Sequence, residues 1–349
     1  MSIIRGFERL AEMDIQTSLN NKVELVSAED VDSAYERIGT HIRHTPLCSS
    51  LLLNRALGFD LSVKAEVLQF SGSFKFRGAS NRIRALKKAQ PECAHVIAYS
   101  SGNHGQAVAA VASLLGYKAT IVMPKDAPKI KIDRTNAFGA EIVFYDRYKD
   151  DREAIGAEIS KTVKGCLVPP YEDPYVIAGQ GTLALEIIAD MKKPADIVIV
   201  PAGGGGLIAG VGLAIKRAWP RCEIYAAEPE GFDDYRLSLL AGERKTIIGN
   251  TSSICDAVLT PMPGALAFSI NQKNLSGSLI VSDEDALKAI QCGIEELKLV
   301  IEPGGAVALA AALKYRDKFK DKNVVVVASG GNLDPAILVK ALNVTSEKH

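Results

Sequence analysis

One lysine in this 349-residue chain stands where an amine could attack a carbonyl group. In the segment SGSFKFRGA, Lys75 follows a predicted strand and a turn of small residues, one residue into a predicted helix. The partial positive charge of a helix N-terminus favours the neutral form of an amine, and the neutral form is the nucleophile. The same letters also fit a surface lysine in a first helical turn, so this segment alone leaves both interpretations open.

Two small-residue turns could bind anions. In YSSGNHGQA, Ser100, Ser101 and Asn103 add side-chain donors to consecutive backbone N–H groups that could hold a carboxylate. In PAGGGGLIAG, the four glycines 203–206 let the backbone approach a phosphate with no Cβ in the way. A plain helix N-cap and a tight turn would explain the same residues. The segment does not match the dinucleotide fingerprint, which is G-x-G-x-x-G with an acidic residue about 20 positions later.

A hydroxyl group follows the last predicted strand. Ser329, in ASGGNLD, stands at the carboxyl edge of a predicted parallel sheet. A hydroxyl can hydrogen-bond a pyridine nitrogen without forcing its protonation, as a carboxylate would. A glycine-rich turn is the alternative explanation.

The elements that must position these residues alternate between strand and helix. The segments LSVKAEV, HVIAYSS, KATIVMP and AEIVFYD each precede a helical pattern, and Ser27 with Asp30 marks the start of the first helix. The runs IVIV and VVVVA are apolar throughout, as in strands covered on both faces. The sequence therefore predicts an α/β fold with two open twisted, mostly parallel sheets and helices on both faces.

Composition favours a small molecule as the partner. Apolar residues are 47% of the chain, and Lys+Arg and Asp+Glu number 41 each, which gives no field for nucleic acid or an anionic membrane. No segment has the roughly 18 apolar residues of a membrane helix, and the start lacks the apolar stretch of a signal peptide. Six scattered cysteines with no C-x-x-C predict reduced thiols in a cytoplasmic protein.

Six segments in this order resemble the serine racemase and serine/threonine dehydratase family of pyridoxal-phosphate enzymes: SFKFRGA, SSGNHGQA, GGGGLIAG, EPEGFDD, IEPGGA and SGGN. The resemblance runs from about residue 25 to 343. It implies a tryptophan-synthase-β-like fold, with a large cofactor domain at 1–94 and 171–349 and a small mobile domain at 95–170. It also implies a homodimer.

The resemblance assigns roles around pyridoxal 5′-phosphate. Lys75 would be the Schiff-base lysine and catalytic base, with Ser101 as the second catalytic group on the opposite face of the cofactor. The remaining cofactor-binding residues would be Phe74, Asn103, Gly203, Gly204, Gly205, Gly206, Leu207 and Ser329, with Phe76 near the ring by position only. The substrate-binding residues would be Ser100, Ser101, Asn103, His104 and, from the small domain, Arg152.

A divalent-cation site is implied by EPEGFDDYR. Glu228, the carbonyl of Phe232 and Asp234 would bind Mg²⁺ or Mn²⁺, since hard oxygen ligands suit these ions. A merely solvated acidic loop is the alternative. Two departures from the family stand out: Cys255 precedes Asp256 where many relatives carry a small residue, and residues 1–24 have no recognised counterpart.

The predicted activity is that of an ammonia-lyase (dehydratase) of the EC 4.3.1 class, which converts a small β-hydroxy amino acid to a 2-oxo acid and ammonia. The substrates left open are 3-hydroxyaspartate, serine and threonine, with racemisation as a side reaction. The alternatives within the fold are a serine- or aspartate-type racemase and a β-replacement enzyme of the cysteine synthase type. A non-catalytic phosphate or nucleotide sensor would use the glycines and leave Lys75 without a role.

Overall fold

Helices and strands alternate along the chain in a computed structural model that describes residues 26–100, 102–127, 129–147, 149–249 and 252–344. The strands are β1 Leu47–Cys48, β2 Asp60–Ala65, β3 His95–Tyr99, β4 Lys118–Pro124, β5 Glu141–Tyr145, β6 Cys166–Leu167, β7 Ile197–Pro201, β8 Glu223–Pro229, β9 Gly277–Val281 and β10 Asn323–Ala328. The helices are α1 Ala28–Ile38, α2 Leu51–Leu57, α3 Lys75–Ala89, α4 Asn103–Leu115, α5 Lys129–Ala137, α6 Arg152–Val163, α7 Pro174–Asp190, α8 Gly206–Ala218, α9 Asp234–Ala241, α10 Ala265–Asn274, α11 Asp283–Cys292, α12 Pro303–Lys314 and α13 Pro335–Leu342.

The strands form two sheets. The larger has the order β1-β2-β10-β7-β8-β9, and all of its pairs are parallel except β1 with β2. The smaller has the order β5-β4-β3-β6 and is parallel throughout. The predicted fold class is thereby confirmed. The strands of the smaller sheet lie inside the predicted small domain, while the division into domains stays a prediction.

Both faces of β10 are buried, which explains its apolar run from Val324 to Ala328. Val324 and Val326 belong to one hydrophobic cluster of the larger sheet, while Val325 and Val327 belong to the cluster on its opposite face. Side chains alternate between the two faces of a strand, so a strand covered on both sides must be apolar at every position.

A group of four buried charges fixes the helix that carries Lys75. Arg77, in the first turn of α3, donates to Glu66, directly after β2, and to Glu186 of α7. Lys64 Nζ donates to Glu186 Oε2 at 2.6 Å. All four side chains are at most 1% exposed, so each charge depends on the others for compensation.

Helix starts follow the local sequence. Ser27 and Asp30 form the predicted reciprocal capping box of α1, and Ser282 with Asp285 forms the same arrangement at α11. The helix predicted over 283–299 ends earlier, because α11 stops at Cys292 and continues as a π-helical turn at Gly293–Leu297.

The prediction of six reduced thiols was wrong for one pair, since the structure joins Cys93 and Cys166 in a disulfide. Residue Val96 pairs with Cys166 in the sheet, so the pairing of β3 with β6 brings the two cysteines together across 73 positions. The other four cysteines are free. The cysteines therefore no longer favour a reducing compartment. Among the described residues, no helix is long and apolar enough to cross a membrane.

Candidate active site

A cavity of about 1100 Å³, including its open mouth, lies at the carboxyl ends of strands from both sheets. Tyr99 ends β3 of the smaller sheet, Pro201 ends β7 of the larger sheet, and Ser329 follows β10. All three line this cavity. Ligands of open parallel sheets bind at this edge, where the loops that follow the strands converge.

The predicted cofactor and substrate residues that the structure describes lie around this one cavity. They are Phe74, Lys75, Ser100, Asn103, His104, Arg152, Gly203, Gly204, Gly205, Gly206, Leu207 and Ser329. Ser101 lies outside the described residues. Phe76 differs from the others: it is 1% exposed and packs in a hydrophobic cluster behind the cavity, while Phe74 lines it. The roles assigned to these residues remain predictions.

Lys75 is the first residue of α3, as the sequence predicts. Its Nζ donates to the carbonyl of Pro170 at 2.8 Å, and burial lowers the pKa of the amine from 10.5 to about 8. The preceding N–H, of Phe74, donates to the carbonyl of Ser329 at 3.0 Å. The start of α3 is therefore tied to the end of β10, which fixes the amine relative to the Ser329 hydroxyl.

The glycine loop is shaped so that other residues would not fit. A Cβ on Gly204 would lie 2.4 Å from the Tyr171 ring, and a Cβ on Gly205 would lie 1.7 Å from the hydroxyl of Tyr235. Gly205 also has a φ of +91°. It precedes the 13-residue helix α8, which no side chain caps. Exposed backbone N–H groups at a helix N-terminus suit a phosphate, so the loop fits the phosphate of pyridoxal phosphate.

Asn103 is held at both ends of its amide. Its Nδ2 donates to Glu302, and its Oδ1 accepts from Asn332 Nδ2 at 2.8 Å. The second hydrogen of Nδ2 is left for a ligand. The side chain therefore fits the predicted role of donor to the cofactor 3-oxygen.

His104 is held in its neutral form. Burial, helped by the nearby charge of Lys75, lowers its pKa to about 3. Its Nε2 lies 2.7 Å from the carbonyl of Val168, so Nε2 carries the hydrogen. Nδ1 has no partner among the described residues and can only accept. Within its predicted substrate-binding role, His104 therefore suits a donor group of a ligand better than a carboxylate.

Arg152 starts α6, and its guanidinium lies 5.6 Å from the centroid of the Tyr99 ring. This contact places a fixed cation at the cavity wall that the smaller sheet provides. Tyr171, which the sequence analysis did not select, also lines the cavity and packs against the glycine loop at Gly204 and Gly206.

An ion cluster around a buried lysine was also missed by the sequence analysis. Lys131 of α5 is 3% exposed, and its Nζ lies 2.6 Å from Asp256 and 3.5 Å from Glu302. Neighbouring carboxylates raise its pKa against the opposing effect of burial. Lys131 lies in the polar segment KIKID, which resembles a solvated helix face, so no local signal distinguishes it from a surface lysine.

The two carboxylates predicted to bind a cation lie together away from this cavity. Glu228 and Asp234 are both fully buried. Burial and their mutual repulsion raise the pKa of Asp234 to about 9, and burial raises that of Glu228 to about 7. Both oxygens of Asp234 lack a hydrogen-bond partner among the described residues. Within the described ranges, no group of three or more His, Cys, Asp or Glu side chains is arranged to hold a metal ion.

Comparison with known proteins agrees with the fold. The profile of the family described as "Pyridoxal-phosphate dependent enzyme" matches residues 38–330. Serine racemase of Schizosaccharomyces pombe is 39% identical, covering 90% of this chain and 97% of the relative. L-threo-3-hydroxyaspartate ammonia-lyase of Saccharomyces cerevisiae is 40% identical, covering 87% of this chain and 93% of the relative. The structure of maize serine racemase superposes with a TM-score of 0.85 at 34% identity, covering 91% of this chain and 97% of that one.

An α/β fold whose two parallel sheets share a cleft with a buried lysine and a glycine loop defines a class of cofactor-dependent enzymes. The family match makes the assignment specific: this chain belongs to the pyridoxal-phosphate-dependent enzymes.

Proposed function

We propose that this chain is a pyridoxal-phosphate-dependent lyase that removes water and ammonia from a small β-hydroxy amino acid. The observation that carries the proposal is the Lys75 amine, which shares one cavity with the glycine loop 203–206 and has its pKa lowered to about 8. Relatives named L-threo-3-hydroxyaspartate ammonia-lyase and serine racemase support the same chemistry.

Residues of the cavity would hold the cofactor at three points. The N–H groups of the glycine loop and Leu207 would bind the phosphate, Asn103 the 3-oxygen and Ser329 the ring nitrogen, with Phe74 beside the ring. When bound, pyridoxal phosphate supplies an electron sink next to the substrate Cα. Because Ser329 would offer the ring nitrogen a neutral hydroxyl and not a carboxylate, the nitrogen would not be forced to carry a proton. The ring would then withdraw electrons less strongly.

Lys75 would also move the proton. Its Nζ accepts the hydrogen of Cα, and a pKa near 8 leaves a substantial fraction of the amine neutral at physiological pH. The proton that Lys75 has taken up would then pass to the β-hydroxyl, which leaves as water. Hydrolysis of the released unsaturated product gives a 2-oxo acid and ammonia.

Arg152 supports a dicarboxylate substrate. It adds a cation to a cavity that already offers Ser100 and Asn103 for one carboxylate, and arginine can form a bidentate pair with a second. We therefore favour 3-hydroxyaspartate over serine and threonine. Racemisation is a second activity, favoured by the 39% identity to a serine racemase. It would require a proton donor opposite Lys75, which is the role predicted for Ser101.

We also propose that Glu228, the Phe232 carbonyl and Asp234 bind Mg²⁺ or Mn²⁺. Asp234 is fully buried next to a second buried carboxylate, and both of its oxygens lack a partner among the described residues, so the pair suits a divalent cation as hard oxygen ligands. The site is separate from the cavity, so the ion would stabilise and activate the protein without touching the substrate. Chelation should then lower Tm and activity together, with Mg²⁺ restoring both, and Asp234→Asn should be indifferent to chelator.

The main test replaces Lys75. Lys75→Ala should lose the visible absorption of bound cofactor, and ammonia release should fall by about 10³-fold or more. Lys88→Ala, at an exposed position of the same helix, should keep both. More than a trace of ammonia release by Lys75→Ala would contradict the assignment. A colourless wild type would favour a phosphate sensor, and addition of a thiol to the product would favour β-replacement.

The substrate is tested through Arg152. Arg152→Gln should reduce kcat/KM for L-threo-3-hydroxyaspartate by at least about 100-fold more than for serine, because only the former loses a charge-assisted pair. Equal losses for both substrates would mean that Arg152 does not bind a second carboxylate.

A further inference from the structure

Tyr235 connects the carboxylate pair to the glycine loop. It is the second residue of α9, directly after Asp234, and it is fully buried. Its backbone N–H donates to Glu228 Oε1 at 2.7 Å, and the next N–H, of Arg236, donates to Glu228 Oε2 at 3.0 Å. The backbone at Tyr235 is thus fixed to the Glu228 carboxylate, and Asp234 is its neighbour in the chain.

The other end of the Tyr235 side chain contacts the loop at Gly205. Its hydroxyl accepts from Asn271 Nδ2 at 2.9 Å, and the same Nδ2 donates to the carbonyl of Gly205 at 3.2 Å. A Cβ on Gly205 would lie only 1.7 Å from the hydroxyl oxygen. The ring is also packed against Phe268, with centroids 6.2 Å apart. The hydroxyl therefore lies directly against the backbone of the glycine loop.

Because the Tyr235 backbone and the Tyr235 hydroxyl are both held, the carboxylate pair and the glycine loop have little room to move independently of each other. A tyrosine ring is rigid, and a closely packed interior transmits small displacements. An ion held between Glu228 and Asp234 would bind the Asp234 oxygens, which have no partner in the described part of the chain, and would order the first turn of α9. Ordering that turn also orders Gly205, so that phosphate binding in the loop would lose less conformational entropy.

We propose that Tyr235 couples cation binding by Glu228 and Asp234 to phosphate binding by the glycine loop, so that each ligand tightens the other. The inference rests on the proposed function, which supplies both ligands. It adds a positioning residue that touches neither ligand and a linkage between two sites.

Binding measurements test the linkage without use of catalysis. The affinity for pyridoxal phosphate is measured by visible absorbance in excess Mg²⁺ and in chelator, and the affinity for Mn²⁺ is measured by the magnetic resonance signal of free ion with and without cofactor. Thermodynamic reciprocity requires the cation to tighten cofactor binding by the same factor by which the cofactor tightens cation binding. We expect this coupling factor to be about 5- to 20-fold. Pyridoxal, which lacks the phosphate, should show no such factor.

Variants locate the coupling. Tyr235→Phe removes the hydroxyl and keeps the ring. The factor by which each ligand tightens the other should then fall below about 2 for both ligands. Asn271→Ser removes the Nδ2 bridge from the other side, should have the same effect, and decides the matter if Tyr235→Phe does not fold. Tyr225→Phe is the matched control, because its hydroxyl bonds Glu223 at the opposite end of the strand that carries Glu228. It should retain the full factor.

Three results would overturn the inference. The first is an undiminished factor in both Tyr235→Phe and Asn271→Ser, and the second is an equal factor for pyridoxal. The third is no Mn²⁺ binding by the wild type, which would also remove the metal from the proposed function. Visible cofactor absorption and ammonia release would still support the lyase in that case, so the two failures are distinguishable.

Discussion

Lys75 sets the pH range in which apoprotein can take up cofactor. Only the neutral amine attacks an aldehyde, and burial lowers the pKa of this amine from 10.5 to about 8. The rate of cofactor attachment should therefore rise with pH, with a midpoint near 8, and level off above it. The measurement is the growth of visible absorbance after mixing at a series of pH values, with Lys75→Arg as the blank. A midpoint near 10 would show that the amine is solvated like an ordinary lysine.

Gly204 should be needed for cofactor binding. A Cβ at this position would lie 2.4 Å from the Tyr171 ring, so Gly204→Ala must displace the ring or the loop. We expect at least about a 10-fold loss of affinity for pyridoxal phosphate, measured by equilibrium dialysis. Gly212→Ala, inside the helix that follows, has ordinary contacts of 3.5 Å or more and should bind normally while gaining some helix stability. Similar affinities for the two variants would place the phosphate elsewhere.

The sequence predicts residues whose chemistry depends on their immediate neighbours. Lys75 at a helix start and the glycines between strand and helix are visible in short runs of letters. Lys131, Tyr171 and Tyr235 could not be found in this way, because each contacts a partner 30 to 125 residues distant in sequence. Their surroundings are set by tertiary packing alone.

The buried charges around Arg77 should hold α3 in place. Arg77→Met leaves the carboxylates of Glu66 and Glu186 buried without their main partner, which should cost about 3–5 kcal/mol of the free energy of unfolding. Arg217→Met, which removes an ion pair with Asp32 at a partly exposed position, should cost at most about 1 kcal/mol. Urea denaturation of both variants checks the difference. Equal costs would mean that water enters the Arg77 group.

The starts of helices could be predicted from the sequence where a side chain caps the backbone. The ends of helices were harder to predict. Ser27 with Asp30 and Ser282 with Asp285 are local pairs that the sequence displays directly. The end of α11 at Cys292 depends on the π-helical turn that follows and on Lys298, whose φ is +61°. The disulfide of Cys93 with Cys166 depends on which strands become neighbours, which no local pattern reveals.

At the scale of the molecule, the two sheets differ in which parts of the sequence supply their strands. The smaller sheet uses one continuous segment, from β3 to β6, whereas β10 lies between β2 and β7 and contributes the largest parallel pairing of the larger sheet. Sequential strands usually lie side by side, so a central strand supplied from the far end of the chain raises the contact order of the larger sheet.

Because β10 follows all the other described strands along the chain, the larger sheet can be completed only late in translation. While the ribosome is still adding residues before Asn323, β2 and β7 have no strand between them, so two edges of the larger sheet remain open to other chains. The smaller sheet has already emerged whole by then. Nascent chains stalled at residue 318 should therefore be cut by protease in β2 and β7 while 95–167 resists, and chains stalled far enough beyond residue 328 should resist throughout. The newborn protein would depend on chaperones for the time needed to translate its second half.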